Sequence, residues 1–401
     1  MTHTASTDVR PAGRGLASRT WIVDDPGADA LALLGPGGFA WFADGLALAT
    51  AGVAARVAAA EVADVLAAIA GDDPVDVPGS GPIAVGALGF DGRRELVIPA
   101  RIGGRAADGR AWITEVGPAD DGAEGWPAEP LRAAPDTLDR RRWRAAVEEA
   151  LARIADGRLD KVVLARQVTV DLGRTLDVPT IVDRLRREQP SSFTAAVGSY
   201  VGASPELLVR RRGRHVLSRP LAGTAAQGGD AGEDSRLVAA MAASVKEQFE
   251  HRLVVRDVCA ALADLCDDVV AAERPDVVRL STVAHLATTV SARLRDPAVS
   301  ALAVATRLHP TPAVAGVPCA AALAAIAELE GFDRGLYAGP VGWVDARGDG
   351  DWALALRGAT LDGSRARLVA GAGIVAGSDP DAEWAETEAK LGAMRAALAA
   401  G

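Results

Sequence analysis

A chain of 401 residues can form one large domain or two ordinary ones, and its 49% hydrophobic content, much of it alanine, supports a sizeable core with helices prominent. A formal charge of −10, from 43 Lys and Arg against 53 Asp and Glu, argues against a nucleic-acid partner, which requires a basic face. It leaves an anionic small molecule open, provided that cations are gathered locally. Cys259, Cys266 and Cys319 show no CxxC spacing, and buried reduced thiols are expected, with Cys259 and Cys266 on one face of a helical stretch. No apolar run reaches the roughly 18 residues of a membrane span: the longest candidate, 46–70, is broken by Arg56, Glu61 and Asp64. The polar N-terminus lacks the apolar centre of a signal peptide, so the cytoplasm is the expected compartment and no membrane is expected as a partner.

Taken in order, residues 1–15 read as a disordered tail. From about 20 to 103, short apolar runs alternate with Gly/Pro turns, and one helix is expected over 55–70. A loop-rich passage, 103–137, could mark a domain boundary, although WITEV (112–116) could continue a sheet across it. Helical spacing of Trp143, Val147, Leu151 and Ile154 predicts a helix over 141–157, closed by Gly157. The pattern then switches to period two in DKVVLARQVTVDL (160–172), a strand. Further strands are expected at 193–197, 204–212 and 215–223, followed by one long helix over 233–266. Strand-like 277–294, helices at 298–307 and 318–330, strands at 338–346, 351–361 and 367–375, and a helix at 380–399 complete the chain. Strands and helices without strict βαβ alternation favour an α+β fold.

Two helical segments carry matched carboxylate pairs at i, i+3: Glu247 and Glu250 in SVKEQFEHRL, and Glu383 and Glu386 in DPDAEWAETEAK, the latter with Lys390 on the same face. Each pair alone could be a solvated helix face. Together they suggest a hard-cation site, and all-oxygen ligation suits Mg²⁺. A di-iron centre would want Glu-x-x-His, whereas Leu253 and Ala389 stand three residues after Glu250 and Glu386.

Lys161 opens a strand of Val, Leu and Ala, sharing a face with Val163 and Ala165. Burial there would disfavour its charged form and suit it to act as a base; the alternative is an edge-strand lysine with its head in water. Glu206, between Pro205 and an apolar run, could hold a proton as a buried acid or be a plain turn residue. Arg357, inside the apolar run WALALRGAT, calls for a carboxylate partner, either a ligand's or a structural one. The Gly-rich stretch 220–235 could hold an anion on its backbone or be an ordinary loop. His285 and His309 read as satisfied buried histidines, and GAGIVAG does not match GxGxxG, which excludes a dinucleotide site.

In combination these motifs resemble the chorismate-utilising enzymes. The resemblance runs from about 140 to 398 through DKVVLAR, SPELLV, PLAGT, KEQFEHRLV, VAHLATTV, LHPTPAVAGVP, RGLYAGPVGW, ALRGA, AGAGIV and DPDAEWAETEAK, and is weak over the first 135 residues. It implies an anthranilate synthase component I-like α+β fold, with large antiparallel sheets flanked by helices. Residues 16–138 would form the N-terminal part and 139–399 the chorismate-binding region of one integrated domain. It also implies Glu250 and Glu386 as Mg²⁺ ligands, with Glu247 and Glu383 in support and Lys390 near the substrate's ring carboxylate. Tyr337, Arg357 and Gly371 would hold the enolpyruvyl carboxylate, with Gly223, Thr224 and His285 lining the site.

Within the family, Lys161 stands where water-using members carry a lysine base and anthranilate synthases a glutamine. Ala222 stands where aminodeoxychorismate synthases carry a lysine. Both features speak against ammonia as nucleophile and against a glutaminase partner. Ala313 matches isochorismate synthases, where salicylate synthases carry a threonine. The sequence AAQG after PLAGT departs from the arginine that many members have before that glycine. The expectation is therefore an Mg²⁺-dependent isochorismate synthase acting on chorismate as a monomer, with Lys161 as base and Glu206 as acid. The alternatives are a salicylate synthase, an aminating synthase subunit and a catalytically silent chorismate binder.

Overall fold

A computed structural model of the protein describes residues 15–24, 29–90, 92, 95–117, 139–227 and 229–399. The expected tail, apart from Gly15, and the loop-rich passage from 118 onward lie outside the described residues. Among the described residues, three sheets of twelve, nine and three strands organise the chain. The twelve-stranded sheet runs from Gly316–Val317 through Lys161–Asp171, Arg365–Val375, Gly358–Asp362, Tyr200–Ser204 and Phe193–Val197, and continues into Phe39–Ala43 and four more N-terminal strands before Ala70–Asp72. Its pairings are antiparallel apart from Ala17–Ile22 with Ala70–Asp72. Strands from before and after the loop-rich passage thus share both large sheets, each set as a contiguous block.

The two large sheets pack face to face. Trp41, Leu48, Ile102 and Trp112 from one meet Val85, Val209, Trp343 and Trp352 from the other in the main core. The outer face of the twelve-stranded sheet carries four helices. Ile181, Val182 and Leu185 of helix Val178–Glu188 and Leu391, Met394 and Leu398 of helix Pro380–Ala399 cover one half. Helices Arg140–Ala155 and Cys319–Leu329 cover the other, over Val162, Leu164 and Ile374. This arrangement is α+β, as expected.

Several elements depart from the sequence reading. The segment expected as one helix over 55–70 is a strand, Ala55–Ala58, followed by a short helix, Val62–Ala68. The long helix over 233–266 is two helices, Ala231–Ala243 and Val245–Ala263, meeting at Ser244. There Ser244 Oγ accepts from Glu247 N at 3.3 Å, an N-terminal cap that starts the second helix. Cys266 consequently begins a strand, Cys266–Ala271, rather than sharing a helix face with Cys259. All three cysteines are free, but only Cys266 is buried; Cys259 is half-buried and Cys319 exposed. Helix Val178–Glu188, capped by Asp177 with Pro179 in its first turn, was not expected at all.

The departure that matters most for function lies at 351–361. Instead of one strand, Gly350–Leu354 belongs to the nine-stranded sheet and Gly358–Asp362 to the twelve-stranded one. The chain changes sheets at 355–357. A second crossing runs the other way at Pro205–Glu206, between Tyr200–Ser204 and Leu207–Arg212. The crossings are bonded to each other, with Leu354 N donating to Glu206 O at 3.2 Å and Ala203 N to Arg357 O at 3.3 Å. Glu206 and Arg357 are therefore neighbours because the sheets exchange strands there.

Candidate active site

Beside these crossings lies a cavity lined by residues of both, Pro205 and Glu206 from one and Leu356 and Arg357 from the other. Eleven of the residues expected at the site line it: Glu206, Gly223, Thr224, Glu250, His285, Ala313, Tyr337, Arg357, Gly371, Glu386 and Lys390. Lys161, Glu247 and Glu383 stand just outside it. Val163, Leu221, Val314, Leu356 and Gly373 also line it and were not singled out from the sequence.

Glu206 is 4% exposed, and burial pushes its carboxyl up to about 7, against weaker pulls from Lys161, Arg357 and Lys390. It can hold a proton near neutrality and give it up. Among the described residues, Arg357 forms no ion pair with a carboxylate. Its NH2 donates instead to His285 Nε2 at 2.7 Å, and its Nε has no partner. Because arginine only donates and a carbonyl only accepts, His285 must be neutral with its proton on Nδ1, which donates to Gly223 O at 3.0 Å. Burial and the adjacent guanidinium hold the imidazole well below its usual range. Thr224 and His285 are cross-strand neighbours in the small sheet, which explains their adjacency. Arg357 has φ +52°, a left-handed conformation uncommon for a side chain of its size. A partly buried cation without an anionic partner among the described residues, held on strained backbone beside a cavity, is suited to meet a carboxylate. Among the described residues the structural ion pair considered for Arg357 is not formed.

Lys161 is fully buried, so the solvated edge lysine considered above is not what the strand contains. Its Nζ lies 2.8 Å from Glu250 Oε1, and the pair lies over Gly373, where a Cβ would meet Glu250 Oε1 at 2.3 Å and Lys161 Cε at 3.1 Å. Gly373 is paired with Val163 in the ladder between Lys161–Asp171 and Arg365–Val375, and Gly371 with Ala165. The glycines thus open the space that the strand's neighbours fill. Lys390 Nζ donates to Gly371 O at 2.9 Å and to Glu386 Oε1 at 2.5 Å, and the Tyr337 hydroxyl sits against Gly371.

The four carboxylates come from facing helices, Val245–Ala263 and Pro380–Ala399. Lys246 links the helices by donating to Glu383 Oε1 at 2.7 Å, and Thr224 N donates to Glu247 Oε2 at 3.0 Å. Burial raises Glu383, and Glu386 beside it raises it further. Burial likewise raises Glu247, reinforced by Glu250 and Glu386. Burial acts on Glu386 in the same sense, but Lys390, Lys246 and Thr224 overcome it and hold that carboxyl below its usual range. Among the described residues no three His, Cys, Asp or Glu side chains converge into a ready-made metal cage. Mg²⁺ needs only one or two carboxylates, completing its shell with water and substrate oxygens. An oxygen-only donor set whose members repel one another fits a hard divalent cation.

The chain belongs to the chorismate binding enzymes, whose family model matches residues 121–399. Among its relatives, isochorismate synthase DhbC of Bacillus subtilis is 39% identical over 279 residues, 67% of this chain and 69% of that protein. The salicylate biosynthesis isochorismate synthase of Pseudomonas aeruginosa is 44% identical over 266 residues, 65% of this chain and 56% of that one. Among solved structures, MenF, the menaquinone-specific isochorismate synthase from Escherichia coli, superposes with a TM-score of 0.80 at 27% identity, over 97% of this chain and 96% of its own. Anthranilate synthase component I from Streptococcus pneumoniae shares the fold, with a TM-score of 0.67 at 22% identity. Among the described residues no helix is long and apolar enough to cross a membrane.

Proposed function

We propose that this protein is an isochorismate synthase, interconverting chorismate and isochorismate by adding water at ring carbon 2 and releasing the hydroxyl from carbon 4. The observation that carries the reading is one cavity lined by a protonatable buried acid, Glu206, and by a partly buried guanidinium without a carboxylate partner among the described residues, Arg357, with a buried lysine, Lys161, behind its wall against Glu250. The names of the relatives support the same reaction.

Chorismate brings two carboxylates. Arg357 and Tyr337 bind the enolpyruvyl carboxylate, and Lys390 sits near the carboxylate on the ring. Glu250 and Glu386, with Glu247 and Glu383 in support, would hold Mg²⁺, whose positive charge would neutralise and orient the dianion. Lys161, in its neutral form, takes a proton from water as the new C2–O bond forms. The ring double bonds shift, the C4–O bond breaks, and Glu206 gives its proton to the departing hydroxyl. In the reverse direction the two residues exchange roles, which requires an acid poised near neutrality. Much of the remaining rate enhancement is positioning within a closed site.

Ala222 on the cavity wall stands where aminodeoxychorismate synthases carry a lysine, so this reading includes no glutaminase subunit. Ala313 on the same wall distinguishes it from a salicylate synthase. Incubation with chorismate and Mg²⁺, with and without EDTA, followed by LC–MS, tests the proposal. Isochorismate in equilibrium with chorismate, lost on chelation, is expected. Salicylate with pyruvate, or no conversion, would overturn it.

A further inference from the structure

The Lys161–Asp171 strand has a full-length neighbour, Arg365–Val375, on one side, but among the described residues only the two-residue strand Gly316–Val317 on the other. Past that short ladder its backbone groups still need partners in a dry interior. Val163 N donates to Ala315 O at 2.7 Å. The next two groups are met by side chains. Glu330 Oε1 accepts from Ala165 N at 2.7 Å, and Arg334 NH2 donates to Val163 O at 2.9 Å. Glu330 and Arg334 are 2% and 3% exposed and bind each other, with Nε donating to Oε2 at 2.9 Å.

Arg334 also reaches other cavity-lining segments. Its NH1 donates to Val314 O at 2.7 Å, its carbonyl accepts from Tyr337 N at 3.0 Å, and its guanidinium lies 5.8 Å from the Tyr337 ring centre. Val163, Val314 and Tyr337 all line the cavity, whereas Glu330 and Arg334 do not. Buried ion pairs contribute little net stability compared with apolar packing. Apolar side chains could fill this space but would leave Ala165 N, Val163 O and Val314 O unsatisfied.

We propose that Glu330 and Arg334 are positioning residues. Together they replace a missing stretch of strand and set where Val163, Val314 and the Tyr337 hydroxyl stand against the substrate. The planar guanidinium is essential, because one group must span a carboxylate and two carbonyls, which a lysine cannot do.

The test compares Arg334→Lys with Arg211→Lys. Arg211 is also 3% exposed, and its guanidinium bonds Asp349, Arg347 O and Pro297 O, none of which lines the cavity. Glu330→Gln serves as the second variant if Arg334→Lys does not fold. Each is followed by thermal melting, by kcat and KM for chorismate, and by methyl NMR of Val163 and Val314 without substrate. Similar losses of Tm are expected in both arginine variants, with kcat lowered about tenfold or more and both methyl signals moved only in Arg334→Lys and Glu330→Gln. A kcat within about twofold of the parent, or unmoved Val163 and Val314 signals, overturns the proposal. The kinetic arm rests on the isochorismate synthase reading and the NMR arm does not. An inert parent protein would thus count against that reading, while the NMR arm still decides the positioning claim.

Discussion

Lys161 and Glu250 meet as a buried ion pair, Nζ to Oε1 at 2.8 Å, in a slot kept open by the missing side chain of Gly373. The base of the proposed reaction and one of the proposed cation ligands are thereby placed in contact. Glu250 also faces the cavity, while Lys161 stands behind it. Substitutions around this pair should separate chemistry from binding.

Gly373→Ala would place a Cβ at 2.3 Å from Glu250 Oε1 and 3.1 Å from Lys161 Cε. The residue does not have a positive φ, so the backbone tolerates alanine and the strain falls on the pair. The expected result is a folded protein with kcat lowered about tenfold or more. Circular dichroism and steady-state kinetics check this, and a variant with unchanged kcat would contradict the packing described.

Lys161→Ala and Glu206→Gln should each lose roughly 10²–10⁴-fold in rate, the usual contribution of a positioned acid or base. Chorismate binding, measured by calorimetry, should persist in both. Near-full turnover by either would remove that residue from the mechanism.

Glu206 also gives a stability prediction with a definite sign. Burial raises its carboxyl from 4.5 to about 7. Between those values the folded state keeps a proton that the unfolded state has released, so stability falls as pH rises. The contribution is fully present below about pH 4.5 and is lost as pH rises through about 7. Its size is on the order of 3 kcal/mol, at about 1.4 kcal/mol per pH unit. Glu206→Gln removes this dependence. Denaturant titrations at pH 5 and pH 8 should show the parent protein losing more stability than the variant, and equal losses would place the carboxyl elsewhere on the pH scale.

Arg357→Ala removes a partly buried charge that has no carboxylate partner among the described residues, as well as a strained left-handed arginine. The melting temperature should stay at or above that of the parent while chorismate affinity collapses, a trade of stability against function. A large drop in melting temperature with binding intact would make Arg357 a structural residue.

Much of this site could be read from the sequence because its chemistry is carried by charged residues in apolar surroundings: Lys161 in a valine strand, Glu206 after Pro205, Arg357 within WALALRGAT. Their assembly could not be read. Period-two apolar patterning is the same whether a run stays in one sheet or crosses to another, so 351–361 looked like a single strand and the crossing at Arg357 was invisible. Other misses left usable signals. Ser244 and Glu247 have capping-box spacing, which marks the break between the two helices. Asp177 and Pro179 announce the start of helix Val178–Glu188. Glu330 and Arg334 left none, since an i, i+4 pair at the end of an alanine-rich helix looks like a solvated ion pair. Only the missing strand beside Lys161–Asp171 buries it.

Binding of Mg²⁺ should raise the melting temperature of the parent by mass action. Glu250→Gln should abolish both that shift and Mg²⁺-dependent turnover. An unchanged Mg²⁺ titration in the variant would remove Glu250 from the cation site.

The central claim is that water attacks at carbon 2 while the carbon 4 hydroxyl departs, with Lys161 and Glu206 moving the protons. Turnover of chorismate with Mg²⁺ in ¹⁸O-labelled water, read by mass spectrometry early in the reaction, tests it most directly. The account predicts isochorismate carrying one ¹⁸O, located on carbon 2, and none formed by Lys161→Ala. Unlabelled isochorismate would mean that the hydroxyl migrates within the substrate, and would contradict the account.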